Sequence, residues 1–274
     1  MIFQRLKTIL FIFPAFFLFL PAAQTPARAV TTFEIYEAST LNQAVKRNKL
    51  LVGTEMQFFP FEYGDEKGQP TGFDMDIVRM LAKDLGVEIE IKDIEFSGLI
   101  PSLQGGKVDL IISGMTRTLT RAKTVSFTQP YFETGLCALL SKKRAADVTD
   151  VSRLNDPGRI LAVKLGTTGD LVTAKLFPKA QVNRYKEETA CVLEVAAGRA
   201  DAFLYDQLSI MKHQKENAGT TTAILKPFTH EPYAIAIRSG DFVFLNWLNL
   251  FLETIKADGR YKELYERYFH DIPQ

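Results

Sequence analysis

The sequence predicts an α/β protein made of two similar units, each a mostly parallel sheet flanked by helices. Two stretches, residues 49–112 and 159–206, alternate strand-like apolar runs with segments of helical periodicity. A short pattern occurs in both: LQGGKVDLIISG (Leu103–Gly114) and VAAGRADAFLYD (Val195–Asp206) each place glycine, a basic residue, a spacer and aspartate before an apolar run. Such alternation is typical of parallel strands joined by crossover helices.

The first unit starts with an apolar strand at Lys49–Thr54 and then changes period. After a turn-rich stretch, apolar residues recur at helical spacing from Phe73 until Gly86 closes the helix. The remaining predicted elements are a strand at Val87–Ile91, a helix capped by Ser97 that ends at Gly105-Gly106, and a buried strand at Val108–Ile112.

The second unit repeats this order. The predicted elements are a strand at Arg159–Lys164, a loop at Gly166–Gly169, a helix from Asp170, a helix at Glu188–Ala197 and a strand at Ala202–Tyr205. Two helices follow near the C-terminus. Their apolar stripes, which include Leu248 and Leu264, indicate packing against a core.

The first 29 residues have the features of a secretory signal peptide. Two basic residues precede an apolar run at Thr8–Leu20, and Ala27-Arg28-Ala29 matches an A-x-A cleavage site. The alternative is a transmembrane anchor, but the run is short for a span of about 20 residues, and Pro14 interrupts it. We therefore predict cleavage after Ala29 and a periplasmic location. No cysteine lies near this site to carry a lipid anchor.

Composition argues against several classes of function. Cleavage removes three basic residues and no acid, which changes the formal net charge from +1 to −2, so nucleic acid is not an expected partner. The histidines lack metal-ligand spacing, and no G-x-S-x-G or G-x-G-x-x-G motif occurs, so neither metal nor cofactor is predicted. Cys137 and Cys191 lie among apolar residues, which favours two buried thiols, although export would permit a disulfide.

Groups suited to a carboxylate lie close to the predicted strand ends, where open α/β sheets bind ligands. The guanidinium of Arg121 can hold a carboxylate with two hydrogen bonds. The backbone N–H groups of Gly166–Gly169, ahead of a helix, favour an anion. The alternative interpretations are a solvated surface charge and an ordinary capped turn.

Groups suited to an ammonium follow two other strands. In the loop Ser113–Thr116, Gly114 lets a ligand approach the backbone closely, and the carbonyl and threonine hydroxyl can accept hydrogen bonds. Asp206 either pairs with an α-ammonium or caps the next helix. Phe58 and Phe96 either flank a ligand side chain or pack in the core. Their joint placement predicts a clamp for a zwitterion.

These residues lie in motifs that closely resemble the polar amino-acid-binding proteins of bacterial ABC transporters, the solute-binding protein family 3. The similarity runs from about Leu50 to Phe269, in the order and spacing of the family. The motifs are GTEMQFFPFEY (Gly53–Tyr63), GFDMDI (Gly72–Ile77), EFSGLIPSLQGGKVDLIISGMT (Glu95–Thr116), Arg121 with VSFTQPYFETG (Val125–Gly135), VKLGTTG (Val163–Gly169) and GRADAFLYD (Gly198–Asp206).

The resemblance implies a two-lobed periplasmic binding protein of type II, with the ligand in the cleft between the lobes. Lobe 1 would be discontinuous, residues 45–131 plus 236–274, and lobe 2 would span residues 136–230. Hinge crossings would lie near 131–137 and 230–235. Ligand binding would close the lobes, and an ABC permease in the inner membrane would recognise the closed monomer.

The resemblance also implies which residues bind the amino acid. Arg121 and the Thr167-Thr168 loop would hold the α-carboxylate, and Asp206 would hold the α-ammonium. The full set is Glu55, Phe58, Phe96, Ser113, Gly114, Thr116, Arg121, Lys164, Thr167, Thr168 and Asp206.

The side-chain end of the predicted site contains conflicting charges. Glu55 and Lys164 would both lie near the tip of the ligand side chain. Glu55 favours a basic or amide side chain, whereas Lys164 and Arg117 favour an acidic or amide one. The sequence therefore predicts a free polar or charged L-amino acid and leaves its identity open.

An enzyme is the alternative class of function. Some proteins that resemble this family are cyclohexadienyl dehydratases, which act on arogenate or prephenate and need a carboxyl group as general acid or base. Glu55 is the candidate for that role. The completeness of the zwitterion clamp favours a binding protein without a catalytic residue. A sensor that presents its ligand state to a separate membrane kinase is a third interpretation.

Overall fold

The computed structural model describes residues 30–270. The predicted signal peptide and its cleavage site lie outside the described residues, as do residues 271–274. Within residues 30–270, no helix is both long enough and apolar enough to cross a membrane.

Short strands and helices alternate along the described chain. The strands are β1 (Lys49–Thr54), β2 (Gln57–Phe58), β3 (Glu62–Gly64), β4 (Pro70–Thr71), β5 (Glu88–Asp93), β6 (Leu110–Ile111), β7 (Val125–Phe127), β8 (Phe132–Thr134), β9 (Leu136–Ser141), β10 (Ile160–Lys164), β11 (Gln181–Tyr185), β12 (Ala202–Asp206), β13 (Thr221–Ile224), β14 (Glu231–Tyr233) and β15 (Ala236–Arg238). The helices are α1 (Thr32–Ala38), α2 (Thr40–Lys46), α3 (Phe73–Leu85), α4 (Phe96–Gln104), α5 (Thr168–Leu171), α6 (Thr173–Leu176), α7 (Glu188–Ala196), α8 (Gln207–Glu216), α9 (Phe242–Ala257) and α10 (Arg260–Phe269).

The first five-stranded sheet has the order β5-β1-β6-β15-β7. Strand β1 is parallel to both neighbours, and its Val52 lies opposite Ile91 on β5 and Leu110 on β6. Strand β15 is antiparallel to β6 and β7. The sheet therefore combines strands from the first half of the chain with one strand from beyond residue 230.

The second five-stranded sheet has the order β11-β10-β12-β9-β13. Strand β10 is parallel to β11 and β12, and β9 is antiparallel to β12 and β13. Both sheets thus consist of three parallel strands followed by two strands that alternate in direction. This confirms the predicted α/β class with mostly parallel sheets, whereas the lobe boundaries remain a prediction.

A separate two-stranded sheet lies in the segments where hinge crossings are predicted. Strand β8 pairs antiparallel with β14, and Phe132 lies opposite Tyr233. The hydroxyl of Tyr261 on α10 donates to the backbone carbonyl of Tyr131, just before β8. The C-terminal helix is therefore tied to the first of these segments.

Aromatic packing attaches the C-terminal helices to the rest of the core. The ring of Phe269 on α10 lies 4.9 Å from that of Phe73 on α3 and 4.8 Å from that of Phe132 on β8, centroid to centroid. Phe61 packs against the same rings.

Cys137 and Cys191 are both buried as free thiols, and burial raises the pKa of each to about 12.

Helix α4 begins two residues earlier than a helix capped by Ser97 would, so Ser97 is not its cap. Glu95 occupies the N-cap position, and its side chain forms no capping hydrogen bond. Instead, the N–H of Phe96 donates to Oε1 of Glu55, 3.1 Å away, just beyond β1. A carboxylate distant in sequence satisfies the helix end, which local sequence patterns do not reveal.

The two aspartates of the repeated pattern are buried and make equivalent contacts. Asp109 accepts a hydrogen bond from the N–H of Leu51 on β1 at 2.7 Å, and Asp201 accepts one from Ile160 on β10 at 2.9 Å. Both also form ion pairs, Asp109 with Arg47 and Arg238, and Asp201 with Arg144 and Arg159. The repeated aspartate therefore anchors the start of a central strand in each sheet.

We predict that Asp201→Ala destabilises the protein by about 3 kcal/mol, because it leaves two arginines and a strand N–H without their buried acceptor. Urea denaturation of the purified protein measures the free energy of unfolding. Asp84→Ala is the matched control, since it breaks a more exposed pair with Arg260 and is expected to cost about 1 kcal/mol or less. Equal losses in the two variants would contradict the anchoring role.

Candidate functional site

One cavity lies between the carboxyl ends of strands from the two sheets. It is reached by residues that follow β1 and β6 in the first sheet, and by residues at the end of β12 and after β10 in the second. Acidic, basic and aromatic side chains share its walls. The lining residues are Glu55, Phe58, Glu62, Phe96, Ser113, Gly114, Thr116, Arg121, Thr167, Thr168, Tyr205 and Asp206.

The guanidinium of Arg121 is buried between the two sheets. Its Nη1 donates to the carbonyl of Thr116 at 2.7 Å, and its Nη2 donates to the carbonyl of Gly166 at 3.0 Å. The Phe96 ring lies beneath it, with the guanidinium carbon 5.3 Å from the ring centroid. Burial lowers the pKa of Arg121 to about 10, so the group is still a cation at neutral pH. Of its five N–H donors, three are left for a ligand carboxylate.

Thr167 and Thr168 begin a helix that starts earlier than predicted. The helix expected from Asp170 instead starts at Thr168 and ends at Leu171. The cause is local: Thr167 is the N-cap, and its hydroxyl accepts a hydrogen bond from the N–H of Asp170. Because one turn has a small dipole, an anion here would depend on individual N–H and hydroxyl donors.

Asp206 lies at the N-cap position of α8, but its side chain does not cap that helix. Its Oδ1 accepts a hydrogen bond from the hydroxyl of Tyr233. Burial raises the pKa of Asp206 to about 7, and the nearby Glu231 and Glu188 carboxylates add to this rise. An ammonium beside Asp206 would favour its ionised form. Of the two sequence-based interpretations, the structure excludes helix capping.

The loop Ser113–Thr116 brings its backbone against an aromatic ring. Gly114 has a φ of +47°, and a Cβ there would lie 2.4 Å from Cε1 of Phe58. The neighbouring Ser113 hydroxyl accepts a hydrogen bond from the N–H of Glu55 at 3.0 Å. Only glycine permits both the backbone angle and the close ring contact.

Glu55 and Lys164 form an ion pair that joins the two sheets. Lys164 ends β10, Glu55 follows β1, and Nζ of the lysine donates to Oε2 of the glutamate. Both side chains are almost fully buried, at 1% and 5% exposure. Burial raises the pKa of Glu55, and Lys164 opposes that rise. The two charges that conflicted in the sequence therefore neutralise each other.

The two predicted aromatic residues form separate parts of the cavity wall. Phe58 stacks on Phe61 at a centroid distance of 5.1 Å and meets Tyr205 edge-on at 5.7 Å. Phe96 lies against Arg121. The aromatic run that begins at Phe58 thus supplies one ring to the cavity and another, Phe61, to the core.

The cavity brings together all the ligand residues expected from the sequence except Lys164, which contacts it through Glu55. Sequence reasoning missed two lining residues, Glu62 and Tyr205. Tyr205 directly precedes Asp206 at the end of β12. Glu62 is an acid inside the aromatic motif FFPFEY, and its presence among apolar neighbours was the available signal.

Histidines are not among the residues that line the cavity. His213 contacts Glu188 at 2.5 Å, and His230 contacts Glu133. Across residues 30–270, no group of three or more His, Cys, Asp and Glu side chains is placed to hold a metal ion.

A protein-family model matches residues 50–271, which is most of the chain. That family is the bacterial extracellular solute-binding proteins, family 3. The chain belongs to this family. The match confirms the family predicted from the sequence motifs.

Two relatives named for different ligands are about equally similar to this chain. A probable histidine-binding protein of Neisseria gonorrhoeae is 33% identical over 223 residues, which is 80% of this chain and 82% of that protein. The ABC transporter glutamine-binding protein GlnH of Bacillus subtilis is 33% identical over 236 residues, 84% of this chain and 85% of that protein. Overall identity to these two relatives therefore does not select a ligand.

A solved structure also superimposes on this chain. It is an ancestral amino acid-binding protein, described as a precursor of cyclohexadienyl dehydratase. The TM-score is 0.78 at 40% sequence identity, and the superposition covers 85% of this chain and 100% of that one. This likeness confirms the predicted fold class.

We predict that Gly114→Ala destabilises the protein more than Gly106→Ala does. Both glycines have positive φ, but a Cβ at Gly106 meets nothing within 4 Å, whereas one at Gly114 collides with Phe58. The free energy of unfolding should fall by about 1–3 kcal/mol more in Gly114→Ala. Equal losses would show that the ring moves aside without cost.

Proposed function

We propose that this protein binds one free polar or charged L-amino acid in the cavity between the two sheets. In this proposal it then delivers the amino acid to an ABC permease in the inner membrane. The observation that carries the proposal is that Arg121 and Asp206, two buried groups of opposite charge, line one cavity. The relatives named above, a histidine-binding and a glutamine-binding protein, support amino acids as the ligand class.

The α-carboxylate would bind at Arg121. Its free N–H donors can form paired charge-assisted hydrogen bonds with two carboxylate oxygens. The hydroxyl of Thr168 and the backbone N–H groups of the first turn of α5 lie on the same cavity wall. These groups come from both sheets, so a bound carboxylate would join them.

The α-ammonium would bind at Asp206. This carboxylate has one neutral hydrogen-bond donor, the Tyr233 hydroxyl, and lies in the same cavity as Gly114 and Thr116. A carbonyl and a hydroxyl from that loop can accept the remaining ammonium hydrogens. The resulting geometry selects an amino acid with both α-groups free.

The ligand side chain would point towards Glu55 and Lys164. Because the two charges compensate each other, this end favours a side chain with both a hydrogen-bond donor and an acceptor, or one that replaces a partner of the ion pair. An apolar side chain would leave the pair intact and gain nothing from it. This supports a polar or charged ligand.

The cellular setting follows from the same proposal. The family is described as extracellular, and the predicted signal peptide, cleaved after Ala29, would deliver the protein to the periplasm. The lobes would be residues 45–131 with 236–274 and residues 136–230, closing about the β8 and β14 segments. The closed monomer would be the form that the permease binds.

We propose that the protein is a carrier and not an enzyme. Its named relatives are binding proteins. Glu55, the candidate acid for a dehydratase, is held by Lys164 and by the N–H of Phe96. A carboxyl group held in this way is not free to protonate a leaving group.

We predict one-to-one binding of one or a few polar amino acids when the purified protein, stripped of ligand, is titrated by calorimetry. Arg121→Ala should weaken that binding about 100-fold, because the buried carboxylate loses its charged partner. Arg117→Ala is the matched control. It removes an exposed arginine that donates to the carbonyl of Thr128 and does not line the cavity.

Two outcomes would contradict the transport proposal. If none of the common amino acids binds, the dehydratase function would be the better supported one. An activity assay with arogenate and prephenate as substrates would test it. Equal losses in Arg121→Ala and Arg117→Ala would place the carboxylate site elsewhere.

We predict that the ion pair sets the preference for side-chain charge. Lys164→Met leaves Glu55 with an uncompensated negative charge, so the affinity for lysine relative to glutamate should rise about tenfold or more. Glu55→Gln should change this ratio in the opposite direction. The double variant Glu55→Gln/Lys164→Met should lie between them. Competition binding measures the three ratios, and identical ratios would remove Glu55 and Lys164 from the ligand site.

A further inference from the structure

Two buried carboxyl groups lie next to each other behind the loop Ser113–Thr116, which we call the ligand loop. Glu62 is on β3, within FFPFEY, and Asp74 is in the first turn of α3, within GFDMDI. Their relative exposures are 1% and 0%, and the two carboxyl groups bind adjacent residues of that loop, Glu62 at Ser113 and Asp74 at Gly114. Both motifs are distinctive in the sequence, yet neither acid takes part in the zwitterion clamp.

One oxygen of each group has donors, and the other has none. Oε1 of Glu62 accepts from the hydroxyl of Ser113 at 2.7 Å. Oδ2 of Asp74 accepts from the N–H of Gly114 at 2.9 Å and from the hydroxyl of Tyr131 at 2.7 Å. Oε2 of Glu62 and Oδ1 of Asp74 are buried without a hydrogen-bond partner. Two such oxygens on adjacent acids are satisfied at once by a single proton between them.

We propose that Glu62 and Asp74 share one proton in the folded protein, and that this acid–carboxylate pair positions Ser113 and Gly114 of the ligand loop. The proton resides on Glu62, whose other oxygen accepts one hydroxyl. Asp74 remains the carboxylate because it accepts two donors and lies at the N-terminus of a 13-residue helix. This deepens the proposed function and rests on it for the role of the loop.

The charges around the pair favour the same assignment. Burial, followed by the charge of Asp74, raises the pKa of Glu62 well above its usual range. Burial also raises the pKa of Asp74, while the bonds from Gly114 and Tyr131 oppose that rise. The other ionisable groups that face the pair are Glu55 just beyond β1, Tyr131 before β8, Tyr205 on β12 and Tyr261 on α10. None of these is a cation that would keep both acids ionised.

The pair connects the loop to three other parts of the first unit. The Ser113 hydroxyl accepts from the N–H of Glu55 and donates to Glu62, so its direction is fixed from both sides. Asp74 holds Gly114 to the start of α3 and to Tyr131. With the shared proton, the carboxyl oxygens of Glu62 and Asp74 that lack a donor would both be satisfied, and the Gly114 carbonyl would be held in place for the ligand.

The pH dependence of stability tests the proton directly and needs no ligand. Above about pH 4.5 an unfolded glutamate releases its proton, whereas folded Glu62 keeps it. Wild type should therefore lose stability relative to Glu62→Gln as pH rises from 5 to 8. The ratio of their unfolding constants should change by up to tenfold per pH unit. The control Glu66→Gln, in an exposed turn, should show a constant ratio.

A spectroscopic measurement covers the case in which Glu62→Gln does not fold. In protein labelled with ¹³C only at glutamate carboxyls, one resonance should stay at the position of a protonated acid at pH 7.5. Glu62→Asp should remove that resonance. A constant stability ratio, or the absence of such a resonance in wild type, would overturn the shared proton.

Ligand binding tests the positioning role. Glu62→Ala should weaken the amino acid identified by calorimetry at least tenfold, and Glu62→Gln should recover most of that loss, because its amide can donate to Asp74 and accept from Ser113. Equal weakening in the two variants would overturn the positioning role. If no amino acid binds at all, the proposed function fails, while the pH slope and the resonance still decide whether the proton is shared.

Discussion

Two buried charges, Arg121 and Asp206, impose the condition that the rest of the site has to meet. A charge removed from water is stable only when other groups replace its hydration. The hydrogen-bond partners observed for these groups, two backbone carbonyls for Arg121 and the Tyr233 hydroxyl for Asp206, are all neutral. Strand ends from two sheets have to converge to supply them. In the proposed function, a zwitterion would meet the remaining electrostatic demand with its anion at Arg121 and its cation at Asp206.

The fold was predictable where the information was local. Helix α3 starts at Phe73 and ends before Gly86 as expected, because one short segment of sequence contains both the apolar period and the closing glycine. In the structure this glycine has the positive φ, +72°, that ends a helix. The repeated glycine–basic–aspartate pattern predicted two similar units, and both five-stranded sheets consist of three parallel strands followed by two that alternate in direction. Here each aspartate anchors a strand N–H, so the pattern reports a contact that both units need.

The site was less predictable because its decisive contacts join residues far apart in sequence. Glu55 satisfies the N-terminus of α4 and pairs with Lys164, and no local pattern encodes either contact. The local pattern therefore predicts the wrong cap, Ser97, and makes the two charges look like competitors. Glu62 was missed for a related reason. The role of an acid in an aromatic run can be inferred only once its neighbours in the structure, Ser113 and Asp74, are known.

The same long-range contacts separate the fixed part of the site from the part that can vary. In the proposed function, the α-carboxylate and α-ammonium groups, which are common to all amino acids, would face groups held by backbone carbonyls, a tyrosine and the Glu62–Asp74 pair. The ligand side chain would lie at one buried ion pair, and removing either partner of such a pair leaves a charge that costs about 3–5 kcal/mol. A new ligand is therefore accommodated in one of two ways. Both positions change together, or the ligand's own side chain supplies the missing charge.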